Sequence, residues 1–160
     1  MTPTPGFLVW RLAMKWSAAV DRAVVPLGLT HAQYSLLASL RGMTRGGLNP
    51  SQRELADQTG LDPIFVSKLI RTLEDNGLVQ RTPHPADTRA VALHLTRVGV
   101  QRIDRAVRVV HGLLEELTAS IGGLDSSVLH EFTATLRTLL AAPVPGSSPT
   151  PSIRTTRRQR

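Results

Sequence analysis

The sequence lacks the motifs of the common catalytic chemistries. Its 160 residues contain no Gly-x-Ser-x-Gly elbow, no Gly-x-x-x-x-Gly-Lys phosphate loop, no His-Glu-x-x-His pair and no Gly-x-Gly-x-x-Gly turn. Acyl transfer, nucleotide hydrolysis, zinc hydrolysis and dinucleotide binding therefore lack their usual residues. Gly42-Met-Thr-Arg-Gly-Gly47 is rich in glycine but carries no phosphate-binding lysine. His31, His84, His94, His111 and His130 are scattered; His111 and Glu115 stand one helical turn apart, and two ligands do not make a metal site. Cysteine is absent, which excludes disulfides, thiolate zinc, iron–sulfur ligation and thiol redox switching. The expectation is a protein that is not an enzyme, with no metal and no cofactor.

One constellation remains. Pro63, Ser67 and Arg71 recur at i, i+4 and i+8, with Ile64 and Lys68 alongside. On a helix these residues share one side, and Val66, Leu69, Ile70 and Leu73 share the other. A helix that reads DNA needs both: an apolar side that fixes its angle and an open side with donors for base edges and phosphates. Its free N-terminal N–H groups can also face a phosphate. Downstream, Asp87-Thr-Arg89 offers an arginine that, at a hairpin tip, can enter a narrow minor groove, with an aspartate to hold it extended. The plain alternatives are a solvated charged helix face and a surface ion pair of little worth.

The elements that must position these residues are legible from their punctuation. Asp62-Pro63 is an N-cap followed by proline at the first helical position, and Gly77 suits the C′ residue, so a helix is predicted over 62–76. Leu61 and Val66 are spaced for a hydrophobic staple across its start. Ser51-Gln-Arg-Glu54 is a capping box that opens a short helix to Thr59, ended by Gly60. The two helices, joined by a tight turn, make a helix-turn-helix. Upstream, Thr30-His-Ala-Gln33 is another capping box, and Tyr34, Leu37 and Leu40 follow on one face. Two strands are predicted, Leu78–Arg81 and Val91–Leu95, the second with Val91, Leu93 and Leu95 alternating; the polar Thr82–Ala90 reads as their loop.

Three further helices flank this module. Residues 6–25 carry Val9, Leu12, Ala13, Trp16, Val20, Ala23 and Val24 as one buried stripe. Residues 96–121 carry Ile103, Val107, Val110, Leu114, Leu117 and Ile121 in alternating steps of four and three. Residues 125–141 follow, capped by Asp125, with Leu129, Phe132, Leu136 and Leu139. A helix over 96–121 would run about 39 Å, long for a single winged helix. Packing the three helices against a second copy would bury their faces and set two reading helices about one DNA turn apart. An intramolecular three-helix bundle is the alternative.

Composition bounds the partner. The 160 residues are 41% hydrophobic and 19% charged, and they read as one globular domain over residues 1–142 with the winged helix-turn-helix at residues 30–95 inside it. Lys and Arg number 19 against 12 acids, net +7, which suits a polyanion such as nucleic acid. All but Lys15 and Lys68 are arginine, so genome bias is the competing explanation. Pro143–Arg160 holds four prolines and four arginines without an acid and reads as a disordered basic tail. Subtracting those four arginines from the net +7 leaves +3 on residues 1–142. No apolar run approaches the ~18 residues of a membrane span. The N-terminus shows no secretory signal, so a cytoplasmic location is the default expectation.

Leu61-Asp-Pro-Ile-Phe-Val-Ser-Lys-Leu-Ile-Arg-Thr-Leu-Glu-Asp-Asn-Gly-Leu-Val-Gln-Arg81, then His84-Pro-Ala-Asp-Thr-Arg89, then Leu95-Thr-Arg-Val-Gly99, resembles the MarR family of bacterial winged-helix regulators. The resemblance covers roughly residues 6–142 and is most specific over 50–99. It implies a mainly α fold with a small β-hairpin wing, and a homodimer built from the first, fifth and sixth helices. It implies binding of a palindromic double-stranded DNA operator, usually as a repressor released by a small ligand. Carried over residue by residue, it assigns Ser51, Gln52, Pro63, Ser67, Lys68 and Arg71 to the major groove and backbone, and Asp87 and Arg89 to the wing. Phe65 stands where the family residue varies; it could meet a thymine methyl or pack on the wing, and packing is the reading preferred here. Members often respond to small aromatic acids, and Trp10, Met14, Trp16, His31 and Tyr34 lie in the segments that would line such a cleft, although core packing explains any one of them more simply. Two other functions stay open on the sequence: a winged-helix protein–protein module and a non-specific architectural DNA-binding protein.

Overall fold

A computed structural model describes residues 2–85 and 87–143, with the backbone alone at 87–90. Helix starts fall where a side chain can accept an otherwise unpaired backbone N–H. Helix α1 (Pro5–Val24) opens at Thr4, whose hydroxyl accepts from Phe7 N at 3.3 Å, with Pro5 at the first position. After a 3-10 turn at Val25–Leu27 and left-handed Gly28, α2 (His31–Arg45) begins at the Thr30/Gln33 capping box. The reciprocal bonds are Gln33 N to Thr30 Oγ1 at 3.2 Å and Thr30 N to Gln33 Oε1 at 3.0 Å. Helix α3 spans Gln52–Thr59 and α4 spans Pro63–Asp75. Strands β1 (Val79–His84) and β2 (Asp87–Leu95) form a two-stranded antiparallel sheet. Helix α5 (Arg97–Thr118), a 3-10 turn at Ala119–Ile121 and α6 (Ser127–Ala141) complete the described residues.

The described residues up to Leu114 form one compact unit. Its core joins Val20 and Val24 of α1, Leu36, Leu37 and Leu40 of α2 and Leu55 of α3 to Val66, Ile70 and Leu73 of α4. Leu78, Leu93, Ile103, Ala106 and Val110 close it. Each fully buried Leu or Ile contributes roughly 1.5–3 kcal/mol of transfer free energy, before the entropy of ordering it. The core therefore fixes the angle of α4 through three of the four residues predicted to do so, with the fourth, Leu69, partly buried against it. The residues from Glu115 onward form a second unit, in which no residue of α6 is fully buried.

Five expectations need correction. The α1 stripe is fully buried only at Val20 and Val24; Val9 is 49% and Leu12 39% exposed. On α5 the core takes Ile103, Ala106, Val110 and Leu113, so Val107, although in the predicted stripe, stays 39% exposed. Helix α6 is capped by Ser126, not Asp125: its hydroxyl accepts from Leu129 N at 3.2 Å. The strands run further than predicted into Thr82–Ala90, with Pro83 paired to Val91 and a register irregularity at Pro83/His84. Proline is tolerated there because a two-stranded sheet has only edge strands. Within β2, Leu93 is buried but Val91 is exposed, so the predicted alternation holds only in part. The basic tail from Val144 lies outside the described residues, as do Ala86 and the side chains of Asp87 and Arg89.

Candidate nucleic-acid interface

Helix α4 is held at both ends by local bonds. Asp62 Oδ1 accepts from Ile64 N at 2.9 Å and Phe65 N at 3.0 Å, which satisfies two N-terminal donors. At the other end Leu78 N donates to Leu73 O at 2.9 Å and Gly77 N to Glu74 O at 2.8 Å. This pair is a Schellman closure, and Gly77 takes the left-handed φ of 68° that it requires. Leu78 is then clamped by the start of α5: Thr96 N donates to Leu78 O at 3.0 Å and Thr96 Oγ1 to Gly77 O at 2.6 Å. Gly99 lies against the Leu78 carbonyl; a Cβ there would overlap its oxygen and stand 2.9 Å from its carbon.

With Val66, Ile70 and Leu73 turned into the core, the opposite side of α4 stands open. Pro63, Lys68 and Arg71 are exposed and Ser67 is half-buried, as the spacing predicts. Ile64, 68% exposed, and Phe65, 44% exposed, lie beside them. Phe65 is not among the residues packed on the core. The face thus offers a guanidinium, an ammonium, a hydroxyl and two apolar groups. These are the contact types that reach guanine edges, phosphates and thymine methyls.

At the start of α3 the carried-over residues already have partners. Ser51 Oγ accepts from Glu54 N at 3.3 Å and donates to Glu54 Oε2 at 2.9 Å, while Ser51 N donates to the same carboxylate at 2.8 Å. Those bonds, the backbone one first, hold the Glu54 carboxyl below the usual range. The Gln52 carbonyl accepts from Arg81 at 3.0 Å, which leaves its NH2 end to donate elsewhere. Arg81 also pairs with Glu74 of α4 at 3.5 Å. It thereby ties β1 to both helices of the helix-turn-helix, a role sequence reasoning missed. Its partners lie 29 and seven residues away, and no local pattern marks them. Arg81, Arg53, Ser51, Gln52 and Val91 line an open cavity of about 340 Å³. Leu93 N donates to Pro50 O at 2.8 Å and docks the hairpin beside it. Asp87 and Arg89 lie on β2, with His84 opposite Asp87 in the register.

The residues expected to line a ligand cleft lie on α1 and α2. Trp10 and Met14 are exposed on α1, 57% and 54%. Trp16 and Tyr34 pack against the core, and burial pushes the Tyr34 hydroxyl above its usual pKa. His31 Nδ1 lies 2.8 Å from Ser17 Oγ, and the His31 backbone N–H donates to Asp21 Oδ1 at 2.6 Å. Among the described residues no three His, Asp or Glu side chains come together as a metal site, and no helix is long and apolar enough to cross a membrane.

Known proteins share both the sequence and this architecture. A family model described as MarR family matches residues 29–91. The uncharacterized HTH-type transcriptional regulator YdcH of Bacillus subtilis (strain 168) is 32% identical over 135 residues, 80% of this chain and 92% of that protein. The crystal structure of CouR from Rhodococcus jostii RHA1, bound to p-coumaroyl-CoA, superposes with a TM-score of 0.75 at 29% identity, covering 87% of this chain and 93% of that one. The M. tuberculosis regulator MosR in complex with DNA superposes with a TM-score of 0.66 at 28% identity, covering 86% and 96%. A likeness that takes in both capped helices and the hairpin, and extends over most of the chain, shows that the protein belongs to the MarR family of winged helix-turn-helix, DNA-binding transcriptional regulators.

Proposed function

We propose that the protein is a homodimeric, sequence-specific repressor that binds a palindromic operator and is released by a small ligand. The observation that carries DNA reading is the division of α4: Val66, Ile70 and Leu73 buried, Pro63, Lys68 and Arg71 open. Ser67, Lys68 and Arg71 supply donors to bases and phosphates. Gln52 offers its amide N–H to the backbone, held by Arg81. Asp87 and Arg89 serve the wing. The reading makes the chain a regulator without enzymatic activity, as its relatives' description suggests.

The dimer is supported by apolar groups left uncovered in one chain. On α1, Phe7, Leu8, Trp10 and Met14 are each between 46% and 57% exposed, and the Phe7 and Trp10 rings lie 5.8 Å apart. On α6, Phe132 is 39%, Leu139 59% and Leu140 86% exposed. Burying such faces against a second copy removes them from water at roughly 25 cal/mol per Å². Ligand release is supported by the p-coumaroyl-CoA bound to CouR, and Trp10, Met14, Trp16, His31 and Tyr34 are the candidate contacts.

Ile64 and Phe65 favour a second reading, in which this face meets a protein, because adjacent exposed apolar groups suit a partner surface. Fluorescence anisotropy with DNA from upstream of the protein's own gene, at two salt concentrations and with unrelated DNA as competitor, separates the possibilities. Specific reading predicts that operator binding survives the competitor and weakens steeply with salt. Equal loss to unrelated DNA would leave the architectural function; no DNA binding would leave the protein-partner function.

A further inference from the structure

An open cavity of about 530 Å³ lies away from α4 and the hairpin, between the 3-10 turn after α1 and the first turns of α5. Pro26, Leu27, Gly28 and Val98 give it apolar and backbone walls; Gln101, Arg102 and Arg105 give it donors. The helical repeat puts Val98, Gln101, Arg102 and Arg105 within one arc of α5. The lining contains no carboxylate. Neither arginine has an ion-pair partner among the described residues.

The nearest acid in sequence cannot neutralise them. Asp104 is the one acid between Arg97 and Arg108. Its carboxylate accepts from Arg41 Nε and an Arg41 terminal nitrogen of α2, both at 3.0 Å, and from Arg45 at 3.4 Å. The cavity therefore keeps two like charges one helical turn apart, which repel each other until an anion sits between them. Arg102 is half-buried, so its guanidinium is less screened than one on an open surface. Its terminal nitrogen would lie in ordinary contact, 3.5 Å, with a Cβ at Gly28, and the φ of +70° there is what calls for glycine.

We propose that this cavity binds a small organic dianion, a phosphate monoester or a dicarboxylate, through Arg102, Arg105 and Gln101. Two guanidinium forks match two negative charges, and planar bidentate recognition of phosphate or carboxylate is what arginine supplies over lysine. The apolar wall of Pro26, Leu27 and Val98 suits a short hydrocarbon body. The volume lies within the range of small-molecule sites. That the bound dianion acts as the effector rests on the ligand-released repressor reading; the binding itself does not.

The test is calorimetric titration of the full chain with phenyl phosphate, with phthalate and benzoate as further probes. Phenyl phosphate and phthalate are expected to bind once per chain and benzoate at least tenfold more weakly. Arg105→Gln, at an exposed position, should weaken phenyl phosphate at least tenfold, and Arg102→Gln should do the same. Arg22→Gln, an exposed arginine outside the cavity, should leave binding unchanged. No uptake of either dianion at millimolar concentration overturns the proposal. So does an equal loss in Arg22→Gln, which would make the attraction one of net charge. A fall in ligand-free DNA affinity on Arg102→Gln or Arg105→Gln would also overturn it, by making the pair a DNA-phosphate contact. Phenyl phosphate binding without displacement of operator DNA refutes the effector role and leaves the site standing; intact DNA binding with no uptake refutes the site alone.

Discussion

Gly99→Ala is expected to destabilise the protein although alanine is the better helix former. Gly99 lies in the first turn of α5, and the added Cβ would overlap the Leu78 carbonyl oxygen. Backbone cannot swing aside as a flexible side chain can, so either α5 lifts or the end of α4 moves. Relief by lifting α5 stretches the bond from Thr96 N to Leu78 O, now 3.0 Å, and the one from Thr96 Oγ1 to Gly77 O. Overpacking of this kind costs roughly 1–3 kcal/mol. Weakening one of the bonds adds about 1 kcal/mol. The helix-propensity gain of alanine over glycine offsets about 1 kcal/mol. The net expectation is a loss of roughly 1–3 kcal/mol, read by urea denaturation followed by circular dichroism. Gly112→Ala, in the same helix with nothing within 4 Å of its Cβ, is the control and should stabilise by up to about 1 kcal/mol. If Gly99→Ala is neutral or stabilising, the clamp between α4 and α5 is not as tight as its geometry indicates. A loss at Gly112 would mean that something outside this chain packs there, as a second copy would.

Leu114→Glu with Leu117→Glu should dissociate or unfold the proposed dimer, whereas light scattering that finds a folded wild-type monomer at micromolar concentration would refute the dimer. Asp104 is held below the ordinary carboxylate range, first by its bond from Arg41 and then by the charges of Arg41, Arg45 and Arg108. A depressed carboxylate contributes stability that is present above its unfolded pKa and lost as pH falls through the folded one. Acid titration of Asp104→Asn should therefore show a shallower loss of stability below the usual carboxylate range than wild type; equal slopes would refute the contribution. Arg89→Ala should weaken operator binding by about 1–3 kcal/mol per half-site if the arginine reaches a base edge. Asp87→Ala should weaken binding less but in the same direction; tighter binding would show that Asp87 is only a surface charge. Deleting residues 143–160 should lower the salt slope, by about one unit at most for each phosphate that the tail neutralises, and leave the preference for operator over unrelated DNA nearly unchanged.

The parts of the fold legible in the sequence are those specified by residues within a turn of one another. The boxes at Thr30/Gln33 and Ser51/Glu54, the Asp62 cap and the glycines at 60 and 77 all act over two to five residues and sit where their patterns place them. The open side of α4 was legible for the same reason, because helical spacing alone separates Arg71 from Ile70. Ser126 displaced Asp125 as a cap because both have acceptors and the choice depends on where the preceding glycine pair releases the chain. The hairpin was longer than its composition suggested, since Pro83 weakens a central strand but not an edge.

Legibility fails where a residue's partner is remote or is another molecule. Arg81 looks like any strand arginine until the fold brings Gln52 and Glu74 to it. A stripe of apolar residues says that something will be covered, not what covers it. On α5 the same helix turns Ile103 and Val110 into its own core and leaves Val107 at the surface, although all three belong to one predicted stripe. The physics is the same for both sets: apolar area seeks cover. The chain supplies cover where α2 and α4 lie alongside, and the apolar area left exposed on α1 and α6 is the observation on which the proposed dimer rests.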